Sequence, residues 1–434
     1  MNHIKFSDLG LADPIQHALK SRNHATPTPI QAQAIPELLK GSDVLGIAQT
    51  GTGKTGAFAL PILHKLSQNR SKEKRREPRA LILAPTRELA IQIGEEFAAY
   101  GKNLHLRQTV IFGGVKQNPQ VNALRRGVDI IVATPGRLLD LMNQGFINLK
   151  AAEFLVLDEA DRMLDMGFVR DVRKIVSALP HKRQSLLFSA TMPKEIARLS
   201  GDMQCNPVRI EVTPQATPIE TISQSLYHIG AADKPKLLAS IMDDPALSKV
   251  IVFTRTKHRA NRVAERLGKG GVDAEAIHGN KSQGARQRAL RRFRAGEARV
   301  LVATDIAARG IDVDGVTHVI NFELPNEPES YVHRIGRTAR AGAGGAAVSF
   351  CDPTERAYLR DIERLIKRPL TVIGDGPAAV AANDDGAGSE TPPHFRKKSR
   401  NNGHGQPGGG PDFKRGRKRG GGGRKQSAGH PQHA

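Results

Sequence analysis

The stretch Val44-Leu-Gly-Ile-Ala-Gln-Thr-Gly-Thr-Gly-Lys-Thr55 decides the fold, because it joins an apolar run to a glycine-rich turn and a helix-like segment. The run 44–47 predicts a strand that is covered on both faces. The glycines allow successive backbone N–H groups to face phosphate oxygens at the N-terminus of the helix predicted over 56–66. The pattern is typical of a Walker A phosphate-binding loop, with Ala48 in place of the usual first glycine.

Within this loop, Lys54 is expected to reach the β- and γ-phosphates of a nucleotide, and the hydroxyl of Thr55 to bind Mg²⁺. The remaining loop residues predicted to contact the nucleotide are Ala48, Gln49, Thr50, Gly51, Thr52 and Gly53. Taken alone, the stretch could also be a surface turn rich in Gly and Thr. The strand pattern before it and the helix pattern after it argue against that alternative.

Unbroken apolar runs recur along the chain, and helix-like periodicity follows each of them. They span 80–84, 128–133, 154–157 and 185–188, and then 250–253, 300–303 and 316–320. Continuous runs predict strands buried on both faces, hence parallel sheets flanked by helices. A polar segment bracketed by prolines at 213–218 separates the two sets of runs. The sequence therefore predicts two doubly wound α/β domains.

Length and composition agree with this division. A chain of 434 residues is long enough for two or more domains. We predict a first domain over 1–212, a linker over 213–220, a second domain over 221–370 and a tail over 371–434. The tail has too few large apolar residues to offset its chain entropy, so we expect it to be disordered.

Charge points to a partner that is rich in phosphate. The chain has 65 Lys and Arg against 43 Asp and Glu, a net charge of +22. Nearly half of this excess lies in the basic tail, where residues 391–434 carry a net charge of about +10. We expect the tail to add salt-sensitive affinity for nucleic acid, although a solvated tail that only aids solubility is the alternative.

Several protein classes are excluded or disfavoured. The chain has no apolar run near the roughly 18 residues of a membrane helix, so we expect no membrane association. The first residues lack the apolar stretch of a secretory signal. Cys205 and Cys351 are too few for a disulfide framework or a cysteine zinc site. We therefore expect a cytoplasmic protein in a reducing compartment.

Two acids follow the predicted strand 154–157 directly. Mg²⁺ requires a carboxylate at a rigid position, and hydrolysis requires a second group that orients or deprotonates water. We assign Asp158 to the metal and Glu159 to the water, as the base. Alone, Asp158-Glu-Ala-Asp161 would more often be an exposed helix start, and the upstream phosphate loop reverses that preference.

With these motifs in order, the chain resembles the DEAD-box ATP-dependent RNA helicases, in their RhlE-like branch, over about residues 5–370. The resemblance implies two RecA-like domains and RNA-stimulated hydrolysis of ATP that unwinds or remodels RNA locally. The family's upstream motif resembles Pro27-Thr-Pro-Ile-Gln31, with Phe6 before it and His24 where an aromatic residue is usual. A side-chain amide can bond the edge of adenine at two points, so Gln31 implies ATP over GTP.

The resemblance also implies an RNA track on both domains. Loop N–H groups, hydroxyls and Arg side chains are suitable ligands for phosphate and 2′-OH groups. Thr86 and Thr134 could instead cap helices. The residues implied are Pro85, Thr86, Arg87, Gly114, Thr134, Pro135, Gly136 and Arg137 in the first domain and Gln283, Arg286, Thr304 and Asp305 in the second.

The second domain is expected to complete the ATP site. By resemblance, Asp312 holds the ribose, Gly310 contacts the nucleotide, and Arg337 and Arg340 are arginine fingers toward the γ-phosphate. An exposed cationic cluster is the alternative for an isolated pair of this kind. Residues implied to couple hydrolysis to domain closure are Asp161, Ser189, Thr191 and His333.

A binding function stays open beside the enzymatic one. An ATP-gated RNA clamp or RNA-annealing chaperone would use the same residues as a helicase, whereas a P-loop kinase or GTPase would need no second domain with paired arginines. Complexes on ribosomal precursors or in RNA decay are expectations at the level of the family.

Overall fold

The computed structural model describes residues 4–49, 51–69, 77–212, 222–308, 313, 315–339 and 344–373. Within this part of the chain, strands and helices alternate in two successive sets, as the apolar runs predict. None of the helices described there is long and apolar enough to cross a membrane.

The first sheet contains seven parallel strands among the described residues. They are β1 Val44–Ile47, β2 Ala80–Leu83, β3 Gln108–Ile111, β4 Ile130–Ala133, β5 Phe154–Leu157, β6 Gln184–Ser189 and β7 Val208–Glu211. Their order across the sheet is β3-β4-β2-β5-β6-β1-β7. Followed along the chain, the strands step across the sheet in one direction from β1 to β3 and in the other direction from β3 to β7.

Helices cover both faces of this sheet. The first domain begins with a 3₁₀ turn at Phe6–Leu9. Its helices are α1 Asp13–Ser21, α2 Pro29–Lys40, α3 Lys54–Gln68, α4 Arg87–Tyr100, α5 Asn118–Arg125, α6 Pro135–Asn143, α7 Ala160–Asp165, α8 Val169–Ser177 and α9 Lys194–Met203.

The second sheet repeats the architecture of the first. Its seven parallel strands within the described residues are β8 Ile222–His228, β9 Val250–Phe253, β10 Ala274–Ile277, β11 Val300–Ala303, β12 His318–Asn321, β13 Gly345–Cys351 and β14 Thr371–Val372. Their order, β10-β11-β9-β12-β13-β8-β14, is the order of the first sheet when strands are counted from β8. The prediction of two doubly wound α/β domains is thus confirmed.

The helices of the second domain are α10 Lys234–Met242, α11 Lys257–Lys269, α12 Gln283–Ala295, α13 Asp305–Ala308, α14 Pro328–Ile335 and α15 Arg356–Ile366, with a 3₁₀ turn at Pro353–Glu355. Strand β14 lies just beyond residue 370, where we placed the end of the domain. The predicted linker and residues 374–434 of the tail lie outside the described residues.

The core explains why the central strands read as unbroken apolar runs. In β2, Ile82 packs into the cluster on one face of the sheet, whereas Leu81 and Leu83 pack into the cluster on the other. Every residue of this strand is therefore buried. Because all strands are parallel, their carboxyl ends share one edge, where loops that follow different strands meet.

Candidate active site

The phosphate loop lies at the carboxyl end of β1. Gly51 and Gly53 adopt left-handed φ angles of 84° and 87°, which allow the loop to turn directly into α3 at Lys54. Lys54 is buried, and its Nζ donates to the carbonyl of Ala48 at 2.7 Å. The hydroxyl of Thr52 donates to the carbonyl of Gln49 at 2.7 Å. Thr50 lies outside the described residues.

Gln31 braces the phosphate loop. Its Oε1 accepts from the backbone N–H of Thr28 at 2.9 Å, and its Nε2 donates to the carbonyl of Gly53 at 3.0 Å. A Cβ atom at Gly53 would lie 2.7 Å from Nε2 of Gln31, and one at Gly56 would lie 2.6 Å from it. The amide that we predict to contact adenine therefore also holds the phosphate loop.

A cleft of about 1860 Å³ opens beside Gln31. It is lined by the predicted nucleotide contacts Phe6, His24, Gln31, Gly51, Gly53 and Thr55, and by Lys249 and Arg294 of the second domain. Tyr100 also lines it, with its ring centroid 6.2 Å from that of His24. Tyr100 was not among the residues predicted from the sequence, although its place at the end of α4, which starts in a predicted motif, was a usable signal.

Asp158 and Glu159 are both buried at the end of β5. Burial raises the pKa of Asp158 to about 7, against the opposing effect of Lys54. The side chain of Asp158 accepts from the N–H of Glu159 at 3.0 Å. Glu159 has a left-handed φ of 52° and pairs with Arg162 at 2.9 Å. The two adjacent carboxylates therefore have different surroundings, as their predicted roles require.

The residues present fit a magnesium ion held largely by substrate. The described residues contain no group of three or more His, Cys, Asp or Glu side chains that could hold a metal ion. Mg²⁺ is usually bound through one or two protein groups, substrate phosphates and water. Thr55 in the first turn of α3 and the buried carboxylate of Asp158 can supply those protein groups.

The predicted coupling residues of the first domain form one hydrogen-bonded cluster. The carboxylate of Asp161 accepts from the N–H groups of Ala190 and Thr191 at 3.1 and 2.9 Å, and from the hydroxyl of Thr191 at 3.0 Å. The hydroxyl of Ser189 donates to the carbonyl of Thr191 at 2.7 Å. A shift of the loop after β5 would therefore move the loop after β6.

Arg337 faces the first domain across the cleft. It is buried, and burial lowers the pKa of its guanidinium to about 10, with a further lowering from Arg162 and an opposing effect of Glu159. Arg162 and Glu159 belong to the first domain. A cavity of about 280 Å³ is lined by Arg162, His333, Arg334 and Arg337. Arg340, Gly310 and Asp312 lie outside the described residues.

Asp305, a predicted RNA contact, forms a two-point ion pair with Arg334 at 2.6 and 2.7 Å. Arg334 is buried and also donates to the side chain of Asn321 at 3.1 Å and to the carbonyl of Glu323 at 2.7 Å. Sequence analysis missed Arg334, although it stands three residues before the predicted finger Arg337. Its hydrogen bonds tie the arginine motif to the loop that begins with Thr304.

Gln283 and Arg286, also predicted RNA contacts, touch the first domain. Gln283 Nε2 donates to the carboxylate of Glu88 at 2.9 Å, and Arg286 pairs with that carboxylate at 3.1 Å. Arg87 Nη1 lies 3.5 Å from Oε1 of Gln283. Glu88, which was not predicted from the sequence, therefore joins the first turns of α4 and α12, which carry predicted RNA contacts from the two domains.

The other predicted RNA contacts lie at the ends of β2, β3, β4 and β11. The hydroxyl of Thr86 accepts from the N–H of Leu89 at 3.3 Å, so Thr86 does cap α4. Thr134 precedes α6 without a side-chain cap. Arg137 reaches the carbonyl of Val115 at 3.4 Å. Of the remaining residues in this set, three are buried: Pro85, Pro135 and Thr304. Gly114 packs against Arg87, whereas Gly136 has open space around it.

Comparison with known families identifies both halves of this arrangement. A family described as "DEAD/DEAH box helicase" matches residues 28–199, and one described as "Helicase conserved C-terminal domain" matches residues 233–342. A DEAD-box ATP-dependent RNA helicase CshA of Bacillus cereus is 45% identical over 84% of this chain and 69% of its own length. An ATP-dependent RNA helicase CshA of Listeria monocytogenes is 44% identical over 84% of the chain and 69% of its own length.

Solved structures give the same result. A DEAD box protein from Methanococcus jannaschii matches with a TM-score of 0.52 and 38% identity, over 85% of this chain and 99% of its own. S. cerevisiae Dbp5 bound to RNA and ADP BeF3 matches with a TM-score of 0.72 and 32% identity, over 85% of this chain and 95% of its own.

Proposed function

The chain belongs to the DEAD-box family of ATP-dependent RNA helicases, and from this premise we propose that ATP joins its two domains into one hydrolytic centre. The enzyme hydrolyses ATP, is stimulated by RNA, and uses the hydrolysis to unwind or remodel RNA. Phosphate binding and the acids are assigned to the first domain, and the guanidinium that completes the centre to the second.

One observation carries this proposal. Arg337 is buried and lines one cavity together with Arg162, which belongs to the first domain and pairs with Glu159 at 2.9 Å. A buried guanidinium at the cleft wall can meet negative charge that develops on the γ-phosphate, where a fixed cation is more effective than in water. The hydrolytic centre is then incomplete in either domain alone.

The residues divide the work as follows. Lys54 exchanges its bond to the carbonyl of Ala48 for the phosphates, and Glu159 orients the attacking water and takes its proton. Mg²⁺, held by Thr55 and Asp158, would neutralise charge on the phosphate oxygens. Gln31 and the ring of His24 contact the adenine, and Arg340, Gly310 and Asp312 act from the second domain as the resemblance implies.

Closure also joins the RNA track. The first turns of α4 and α12, which carry Arg87 and Gln283, meet at Glu88. If ATP and RNA both favour the closed arrangement, each must raise the affinity of the other by the same factor. An RNA duplex that cannot fit the joined track is opened locally, and loss of phosphate reopens the cleft.

Strand displacement tests this function. We expect the full chain to separate a short RNA duplex only when ATP is present, and RNA to stimulate its ATPase more than DNA of equal sequence. The lifetime of the complex on single-stranded RNA is measured in parallel. A long lifetime without strand separation would instead assign the protein as an ATP-gated clamp.

Finer assignments are also proposals. We propose the RhlE-like branch from the order of motifs, whereas the relatives compared above carry the name CshA. A cytoplasmic location, complexes on ribosomal precursors or in RNA decay, and the domain limits 1–212 and 221–370 are proposed on the same basis. Sequencing of RNA crosslinked to the protein in cells would identify its targets.

A further inference from the structure

A groove of about 590 Å³ lies on the second domain between α10 and α11. Its floor is formed by Leu238, Val263, Leu267, Val272 and Phe322, and most of its exposed lining is apolar. None of the residues that line it belongs to the proposed ATP or RNA sites.

The rim of the groove is basic. Arg259, Arg262 and Arg266 line it from α11, and Asp243, the residue directly after α10, is the acid that lines it. Arg259 pairs with Glu323 at 3.4 Å. Arg262 and Arg266 are exposed and form no ion pair with any residue within the described ranges. The groove therefore presents two unpaired guanidinium groups beside an apolar floor.

We propose that this groove docks an acidic peptide segment of a partner protein, with an aromatic or aliphatic side chain inserted between α10 and α11. Carboxylates pair well with the planar guanidinium of Arg, and an apolar anchor would exclude water from those pairs. RNA fits less well, because the floor is recessed and apolar and the ring of Phe322 in it is buried, so that it offers no exposed ring on which a base could stack.

A series of ion pairs and hydrogen bonds links the groove to the proposed active site. Arg259 holds the carboxylate of Glu323, and the carbonyl of Glu323 accepts from Arg334, which binds Asp305. A peptide that draws Arg259 toward its own carboxylates would disturb this chain of contacts. Docking is therefore expected to change the RNA-stimulated ATPase rate.

The test uses the full chain and a library of 12-residue peptides, each with four Asp or Glu and one central Phe, Leu or Trp. Ala239 lines the groove and is exposed, so Ala239→Trp fills the groove from the surface of α10. Ser240→Trp on the same helix is the matched control, because Ser240 is exposed and does not line the groove. Both variants are expected to keep RNA-stimulated ATPase activity within about twofold.

We expect the selected peptides to bind at least about tenfold more weakly to Ala239→Trp than to Ser240→Trp. Arg262→Glu with Arg266→Glu should weaken them similarly, whereas Lys236→Glu with Lys269→Glu, an equal change of charge on the same helices, should not. Replacing the central anchor by Ser should abolish binding. Peptides that bind all variants equally, a library that yields no binder sensitive to Ala239→Trp, or competition by oligo(U) that requires Arg262 and Arg266 would each overturn the proposal.

Discussion

Lys54 and Lys234 occupy the same place in two sheets of the same strand order, and their surroundings are opposite. Each is the first residue of the helix that follows the first strand of its sheet, and each is buried. Lys54 bonds a carbonyl, and among the described residues no carboxylate lies within ion-pair distance of it. Burial lowers the pKa of Lys54, with Asp158 opposing.

The positive charge of Lys234 is instead balanced by carboxylates in direct contact with it. It pairs with Asp352 at 3.0 Å and with the buried carboxylate of Glu355. Burial favours the neutral form of Asp352, but hydrogen bonds from Thr354 and Lys234 lower its pKa to about 2. The comparison teaches that the fold alone does not make a phosphate site: the lysine must be left without its own counter-charge.

The largest expected effect is on ATP turnover, when Arg337, the contribution of the second domain to the site of the first, is removed. Arg337→Ala should lower the ATP turnover number by about 10³- to 10⁵-fold, because an arginine finger supplies charge only at the transition state. Arg364→Ala, at an exposed position of α15, is the control and should leave turnover unchanged. Wild-type turnover in Arg337→Ala would exclude Arg337 as an arginine finger.

Glu159→Gln tests whether Glu159 acts as the base, a role distinct from the metal-binding role assigned to Asp158. Loss of the base should lower turnover by about 10²- to 10⁴-fold while ATP and RNA still bind together. Single-turnover hydrolysis and equilibrium RNA binding with ATP measure the two effects separately. Turnover close to that of the unaltered protein would refute Glu159 as the base.

The two lysines should separate activity from stability. Lys54→Gln should reduce turnover by about 10²- to 10³-fold, the scale of a lost electrostatic contact at the transition state, with little change in the urea midpoint. Lys234→Gln should lower the free energy of unfolding by about 3–5 kcal/mol, because it leaves buried carboxylates without a counter-charge. Its turnover per folded molecule should stay within a few-fold of that of the unaltered protein. A large loss of stability in Lys54→Gln together with a large loss of turnover in Lys234→Gln would contradict the different roles assigned to the two lysines.

The smallest expected effect is the change in affinity for ATP with pH. The pKa of Asp158 is raised to about 7, so the carboxylate gains a proton as pH falls from 8 to 6. A protonated acid cannot serve the metal, and the affinity for ATP with Mg²⁺ should therefore fall about tenfold over that range. Asp158→Asn, titrated in parallel, corrects for protonation of ATP itself. Equal slopes in both proteins would contradict this account.

The sequence predicted central strands better than edge strands, for a physical reason. β2, β5, β9 and β11 are covered on both faces and read as apolar runs. Edge strands such as β3 and β7 are only partly buried, and their mixed sequences carried no such pattern. The same holds for β8, which has polar residues between buried ones.

The site was predictable where the chain itself brings residues together. The loop 48–55 and the adjacent acids 158 and 159 each follow a recognisable strand. Glu88 and Arg334 were missed because their role comes from partners distant in sequence, Arg286 and Asp305. No local pattern states which side chain will lie opposite across a cleft, so contacts of this kind require the fold.

Energy transfer between dyes on the two domains tests most directly whether the ATP site of the first domain is completed by the second. Cys205 is exposed and Cys351 buried, so Cys205 and an added Arg360→Cys can carry the dyes. We predict that ATP with RNA produces a single closed population, and that Arg337→Ala depletes it. A distance distribution that is the same with and without ATP and RNA would contradict the account.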